Sequence, residues 1–176
     1  AITMFAFAQA SIAQLTQANE PAIGASLDMF LCDSNTTNYS AVVGEDVTWD
    51  YTNLASYAGE MRTVEMFDAT LTADAAEFPG ATKTLSVEGL LSTYFSSTPT
   101  ERISQGFIFT EPSAGTIIAR WNDNAAQLLT YPFAYGSSSI DTYSGNVTAL
   151  GNDIDATGSI NSSIDATGTI NFPFTS

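Results

Sequence analysis

The stretch RISQGFIFTEPSAGTIIARWND, from Arg102 to Asp123, decides the fold class of this chain. Two apolar runs, Ile103 to Phe109 and Thr116 to Trp121, flank a short connection that contains Pro112 and Gly115. Proline presets one backbone angle and glycine tolerates a left-handed one, a combination typical of a hairpin loop. Most residues of the two runs are β-branched or aromatic, as a half-buried sheet favours. The stretch predicts an antiparallel hairpin in a sheet core, and it contains no evident catalytic motif.

Length and composition predict a single β-rich domain over residues 1–176. Hydrophobic residues make up 44% of the chain, so it is not globally disordered. No apolar run reaches the roughly 18 residues that a membrane helix needs, and we expect no membrane partner. The many short β-rich runs between turn signals predict a mainly β fold, either an antiparallel β-sandwich or a small barrel, with a short N-terminal helix.

The N-terminal residues 1–20 read as a helix or arm. Within Met4 to Ala18, the apolar residues Phe5, Ala8, Ile12 and Leu15 recur at three- and four-residue spacing, which favours an amphipathic helix. Such a helix packs on its own core in the simpler interpretation. In the alternative interpretation, it is an apolar arm that docks on a neighbouring subunit.

The C-terminal residues 151–176 carry a repeat with a period of ten residues. Ile154 to Asn161 reads IDATGSIN, and Ile164 to Asn171 reads IDATGTIN. The alternation in each copy predicts two successive short strands, with a hairpin through Ser162 and Ser163 as one arrangement. The closing residues Phe172 to Phe174 would pack on a core or on a neighbour.

Charge and residue usage narrow the function classes. The chain has 19 acidic and four basic residues, for a formal net charge of −15. Sequence-specific nucleic-acid binding is not expected, because it needs Lys and Arg to neutralise phosphates. An acidic surface lets DNA pass without sticking, keeps a densely arrayed protein soluble, or is simply a solvated surface. The single cysteine, Cys32, lies in a predicted strand and is expected to be a small buried residue.

Candidate chemistry is sparse. The chain contains no histidine, the commonest general base and metal ligand, so we expect no enzyme, no cofactor and no metal. Asp153, Asp155 and Asp165 could supply oxygen ligands to Ca²⁺, but their spacing matches no calcium loop, and solvated strand residues are the simpler interpretation. Trp49 and Trp121 are candidate sugar platforms or, more simply, core residues.

The basic residues are few enough to single out two of them. Arg102 and Arg120 lie at the outer ends of the predicted hairpin strands, where each would pair with acids of the fold or of a neighbouring subunit. Pairing within the fold is slightly favoured. The residues that we predict as assembly contacts are Phe5, Phe7, Arg102, Arg120, Phe172 and Phe174.

Several motifs occur in an order that resembles a known group of proteins. They are SLDMFLCDS (Ser26 to Ser34), Asp46-Val47-Thr48, Ser56-Tyr57-Ala58-Gly59, the segment Val64 to Phe78, the pair RISQGFIF and TIIARWND, and the final IDATGTIN. In this order the chain resembles small structural proteins of tailed-phage virions. The resemblance spans most of the chain but not Asn124 to Leu150.

The resemblance implies a β-rich virion component without enzymatic activity, made in the host cytoplasm. The first hypothesis is a head decoration or cement protein, whose partners are the major capsid protein or copies of itself. The second is a tail tube protein with an acidic lumen. A third, from a different class, is a carbohydrate-binding β-domain of a receptor-binding appendage.

Overall fold

A computed structural model describes residues 14–32, 42–113 and 115–172, apart from the side chains of residues 56–60. Strands make up 65% of the described residues and helical residues 6%, which confirms the mainly β fold. The sheets are antiparallel in the main, and the large sheet is not closed, so the alternative of a small barrel is wrong. A second packed sheet that would make a sandwich is not confirmed.

Thirteen strands and three short 3-10 helices occur within the described residues. The 3-10 helices are Gln17–Asn19, Ala69–Leu71 and Ala75–Glu77. The strands are β1 (Gln14–Leu15), β2 (Ser26–Cys32), β3 (Gly44–Asp50), β4 (Ser56–Asp68), β5 (Lys83–Val87), β6 (Leu91–Ser97), β7 (Glu101–Glu111), β8 (Gly115–Asn124), β9 (Ala126–Thr130), β10 (Phe133–Ala134), β11 (Ser138–Ala149), β12 (Asn152–Ser163) and β13 (Ala166–Asn171).

One nine-stranded sheet dominates the molecule. Its strand order is β12-β11-β8-β7-β6-β5-β4-β2, and β9 pairs with the far end of β7. Two small sheets accompany it: β1 pairs with β10 in antiparallel fashion, and β13 pairs with β3 in parallel. The large sheet therefore has two outer strands, β2 and β12, at opposite ends of the order.

The predicted hairpin is confirmed as β7 and β8. Their pairing runs from Gly106 opposite Arg120 to Glu111 opposite Gly115, where Gly115 has a φ of +90°. Beyond Gly106, β7 leaves β8 and pairs with β9, so Arg102 lies opposite Leu129 instead of close to Arg120. The hairpin thus stands at the middle of the sheet, but its register separates the two arginines.

No N-terminal helix is found where the described residues test that prediction. Residues 4–13 lie outside the described residues. Gln14 and Leu15 form a strand that pairs with Ala134 and Phe133, and Gln17 donates from its side-chain amide to the carbonyl of Ser97 at 2.9 Å. At Gln14 and Leu15, long-range strand pairing therefore overrides the helix predicted from the apolar spacing.

Strand β2 confirms the strand predicted around Cys32, but the strand is not buried. All seven of its residues are exposed, because it is an outer strand of the large sheet. Cys32, expected to be buried, is exposed at its end.

One buried cluster lies on the side of the hairpin that faces residues 69–82. Residues 69–82 cross that side, and Phe78 stacks on Tyr94 with ring centroids 4.1 Å apart. Ala69, Ala81 and Ile108 complete the cluster. Gly106, with a φ of +137°, is required here, because a side chain would collide with the Ala119 carbonyl and with Phe78.

The C-terminal repeat folds into two strands as predicted, but not into a hairpin. β12 pairs along its length with β11, whereas β13 leaves the large sheet and pairs in parallel with β3. Two nearly identical sequences thus take different partners.

Candidate binding surface

The register of the large sheet separates its side chains into two faces, since residues directly opposite each other in paired strands point the same way. On one face two rows of mostly apolar residues run from end to end, and we call them together the apolar face. Its first row is Leu27, Val64, Val87, Leu91, Phe109, Ile117 and Ala149, ending at Asn152. Its second row is Met66, Leu85, Thr93, Phe107, Ala119, Val147 and Ile154.

Neither row contains a charged residue. The opposite side, which we call the polar face, differs sharply in composition. One of its rows runs through Glu65, Ser86, Ser92, Ile108, Ile118, Thr148 and Asp153, and another through Phe67, Thr84, Tyr94, Gly106, Arg120, Asn146 and Asp155. Residues 69–82 cover the apolar middle of that face. The acids and hydroxyls at its two ends face outward, as in a solvated sheet face.

The described residues leave much of the apolar face uncovered. Leu27 is 63% exposed, Phe109 38% and Ile154 60%, at one end, the middle and the other end of the face. Most of the remaining residues in the two rows are half-buried, although Met66 and Ala119 are buried. A continuous exposed apolar patch marks a binding surface more often than an isolated exposed residue does.

At its β2 end the apolar face deepens into a groove of about 320 Å³. Pro21 and Ala25 form one wall, and Leu27, Val64 and Val87 are among the lining residues. The groove is therefore a concave, apolar part of the same surface.

Strand β2 adds an exposed edge to this groove. Within the described residues it pairs only with β4, so the backbone N–H and C=O groups on its other side have no strand partner. Met29, Phe30 and Leu31 are exposed along it. An exposed apolar outer strand is a template for association with another chain.

Beyond the second row, the same side of the sheet is covered by a layer built from residues 14–25 and from β10, which pairs with β1. Glu20 ties this layer to the sheet: its carboxylate accepts from Ser97 Oγ at 2.8 Å, Tyr131 Oη at 2.7 Å and Lys83 Nζ at 2.9 Å. Under the same layer, the Arg102 guanidinium carbon lies 3.9 Å from the centroid of the buried Phe95 ring. The uncovered rows thus begin where this layer ends.

The polar cluster shifts the pKa values of its members. Burial alone would raise the pKa of Glu20, but hydrogen bonds from Tyr131, Lys83 and Ser97 outweigh it and hold that pKa below its usual value. Burial, together with the neighbouring Glu20 carboxylate, raises the pKa of Tyr131 to about 12. The cluster is a structural tie between the covering layer and the sheet.

Of the predicted contact residues, Arg102, Arg120 and Phe172 lie within the described residues. Phe5, Phe7 and Phe174 lie outside the described residues. Phe172 is exposed, and its ring stacks on Tyr51 with centroids 6.1 Å apart. Their role as assembly contacts stays a prediction.

Arg120 pairs within the fold, as the sequence slightly favoured. Its Nε lies 2.6 Å from Oε2 of Glu77, and its Nη1 donates to Thr148 Oγ1 at 2.7 Å. Arg120 thereby fastens the 3-10 segment Ala75–Glu77 to the polar face.

The aspartates of the repeat do not form a cluster. Asp153 accepts from the Thr148 hydroxyl, and Asp155 lies two residues further along β12 on the same polar face. Asp165 follows the end of β12. Within the part of the chain that the structure describes, no group of three or more Asp, Glu, Cys or His residues could hold a metal ion.

The two tryptophans are half-buried. Trp49 lies in β3, opposite Ile170 of β13. Trp121 packs on the Tyr143 ring at 4.5 Å with an interplanar angle of 44°, and on the Phe107 ring at 6.2 Å and 67°. These rings are inclined to one another, so they do not make one flat platform.

No family model, no curated protein and no solved structure matches this chain. The likeness to tailed-phage proteins therefore rests on the quoted sequence motifs alone. Among the described residues no helix is long and apolar enough to cross a membrane.

Sequence reasoning did not identify the two rows of the apolar face as a site. The signal was present as alternation within strands, for example Leu27 and Met29 in β2 or Phe107 and Phe109 in β7. Alternation indicates that one side of a strand is apolar, but the register that aligns these sides across eight strands is a property of the fold.

Proposed function

We propose that this chain is a non-enzymatic structural subunit of a tailed-phage virion, and within that class a capsid decoration or cement protein. Its partners would be the major capsid protein or copies of itself. The order of the sequence motifs supports the virion class. The apolar face, which has no charge in either row and which the described residues leave largely uncovered, supports an assembly role.

The apolar face carries the proposal because of its contrast with the rest of the chain. A net charge of −15 keeps copies soluble and apart, since like charges repel. Two continuous rows without a single charge are therefore an unusual feature of this molecule. Soluble monomers rarely expose apolar patches larger than a few hundred Å². A partner that covers this face is the simplest physical account of it.

The same proposal accounts for the sandwich expected from the sequence. Two sheets in a sandwich pack about 10 Å apart, with apolar faces inward. In this chain the partner would supply the second layer, and the sandwich would be completed between molecules.

Imaging of particles that contain the protein tests the proposal. A decoration protein would appear on the outer capsid lattice, with a copy number close to that of the major capsid protein. Absence of the protein from purified particles that contain the major capsid protein would overturn the virion assignment.

A tail tube protein is the second candidate, and the polar face favours it. Glu65, Asp153 and Asp155 lie on that face, where they would line an acidic lumen that lets DNA pass. Electron microscopy of the purified protein separates the two: stacked hexameric rings would favour the tube, and their absence would favour decoration.

A carbohydrate-binding domain is the third candidate and draws on the Trp121 aromatic group. Its test is glycan-array binding, with Trp121→Ala as the variant. Binding abolished by this change would favour the third candidate, and an array without any binding would reject it.

A further inference from the structure

We infer that the apolar face is an interface between two copies of this chain, packed face to face about a two-fold axis. The inference rests on the proposed function, because it names the partner of the surface that carries that proposal. A different virion protein, or another segment of the same chain, on this face would overturn the inference.

The size of the face is at the lower limit of what a specific dimer needs. Eight strands spaced about 4.8 Å apart span about 34 Å, and two rows of side chains are about 14 Å deep, so each copy presents on the order of 500 Å². Two copies together bury about 1,000 Å², which is the lower limit for a specific interface. The 320 Å³ groove beside Leu27 adds concave surface that a partner side chain would fill.

The charge distribution makes the apolar face the surface through which two copies would meet with the least repulsion. Each chain carries a net charge of −15, so two copies approach most readily through a surface without acids. Both rows of the apolar face meet this condition, whereas Glu65, Asp153 and Asp155 lie on the opposite face. An apolar surface is also complementary to itself, as a two-fold contact requires, because the same patch serves both subunits.

The border of the face fits the same interpretation. The next row outward contains Arg62, opposite Met29, and Glu111, opposite Gly115. A charge-free centre with charged residues at its border is the usual arrangement of a protein interface.

Phe109 is the best position to test, since it lies in the middle strands of the first row. We expect sedimentation velocity of the full chain to show a dimer, and Phe109→Asp to weaken dimerisation by about a hundredfold or more, since the change places two buried charges in one interface. Phe67→Asp is the matched control. Phe67 is 41% exposed against 38% for Phe109, but it lies on the polar face, so its change should leave dimerisation intact.

Leu27→Asp and Phe30→Asp form a second pair on β2. Leu27 lies on the apolar face and Phe30 on the other, and both are exposed. Circular dichroism confirms the fold of each variant before its mass is measured. If Phe109→Asp does not fold, the comparison of Leu27→Asp with Phe30→Asp still tests whether the apolar face is the dimer interface.

The dependence of dimerisation on salt concentration is an independent test of the interface. The Debye length falls from roughly 10 Å at 0.1 M to about 3 Å at 1 M, so salt screens the repulsion between two acidic copies. We expect dimerisation to strengthen as salt increases. Dimerisation that weakens with salt would overturn the inference, because it would require attraction between opposite charges.

Cross-linking locates the contact. In a Cys32→Ser background, Phe109→Cys should form a disulfide-linked dimer under mild oxidation, whereas Phe67→Cys should not. A monomer at all concentrations and salt levels overturns the inference, as does a Phe67→Asp effect equal to that of Phe109→Asp. A monomeric chain in which Phe109→Cys resists thiol labelling also overturns it, because the face would then be covered by its own chain.

The outcomes separate this inference from the proposed function. If the chain is monomeric in solution but present on particles, the inference fails and the virion assignment stands. If the chain dimerises as described but is absent from particles, the virion assignment fails and the dimer interface stands.

Discussion

The Tyr131 hydroxyl donates a hydrogen bond to Oε1 of Glu20 at 2.7 Å, joining residues 111 positions apart in the chain. This bond links the turn after β9 to the segment before β2, so it closes the layer that covers one side of the apolar face. Because Lys83 and Ser97 bind the same carboxylate, Glu20 joins the covering layer to two strands of the large sheet.

Removing this hydrogen bond should destabilise the fold measurably. Tyr131→Phe deletes one donor to a charged acceptor, and such bonds contribute about 1.5–3 kcal/mol. We expect a loss of that size in the free energy of unfolding from urea denaturation. Tyr135→Phe is the control: Tyr135 is exposed, so its change should stay within about 0.5 kcal/mol. If both variants lose the same free energy of unfolding, the Tyr131 hydrogen bond does not stabilise the fold.

The same pair predicts an alkaline transition. The pKa of Tyr131 is raised from its ordinary value of 10.0 to about 12 in the folded chain, so the folded state holds this proton more tightly than the unfolded state. The resulting stabilisation is complete below pH 10 and is lost as the pH rises from 10 to about 12. Unfolding measured across this range should show a steeper loss for the native chain than for Tyr131→Phe. Parallel curves would contradict the assignment.

Glu20 behaves in the opposite sense on the acid side. Its pKa is lowered in the folded state, so its contribution is present above its ordinary value of 4.5 and is lost as the pH falls through the lowered value. Glu20→Gln should therefore flatten the acid limb of the stability curve, which guanidinium denaturation at a series of pH values would measure. An unchanged acid limb would mean that other carboxylates govern acid unfolding.

Local sequence was enough to predict the hairpin of β7 and β8. Pro112 and Gly115 define the turn, and β-branched residues on both sides define the strands, so the information lies within one short stretch. The mainly β fold follows from the same kind of local signal.

The apolar face could not be predicted in this way. Whether Leu27 is buried depends on which strands align beside β2 and on what covers the sheet, and neither is encoded within β2 itself. The strand was predicted, but its position at the edge of the sheet was not, and the burial expected for Cys32 was wrong for that reason.

Cys32 consequently offers a direct test of the edge position. An exposed thiol on an outer strand should react with a thiol reagent in the native chain at nearly the rate seen in denaturant. A rate slower by about a hundredfold or more, measured by absorbance without denaturant, would place Cys32 in a protected site and contradict an open β2 edge.

Equivalent glycines in the two copies of the C-terminal repeat should respond differently to substitution, because β12 and β13 pair with different strands. The comparison tests whether the paired strand, rather than the local sequence, determines the loss of stability. Glycine-to-alanine changes in extended backbone normally stabilise by about 0.4–1 kcal/mol, through the unfolded state. At Gly168 a side chain would collide with the backbone of Val47, which cannot move without breaking the pairing of β13 with β3. At Gly158 it would meet the end of the Tyr143 side chain, which can shift more easily than backbone can. We therefore expect Gly168→Ala to lower the free energy of unfolding by more than about 2 kcal/mol and Gly158→Ala by about 1 kcal/mol or less. Urea denaturation of both variants measures the difference, and equal losses would contradict the separate pairing of β12 and β13.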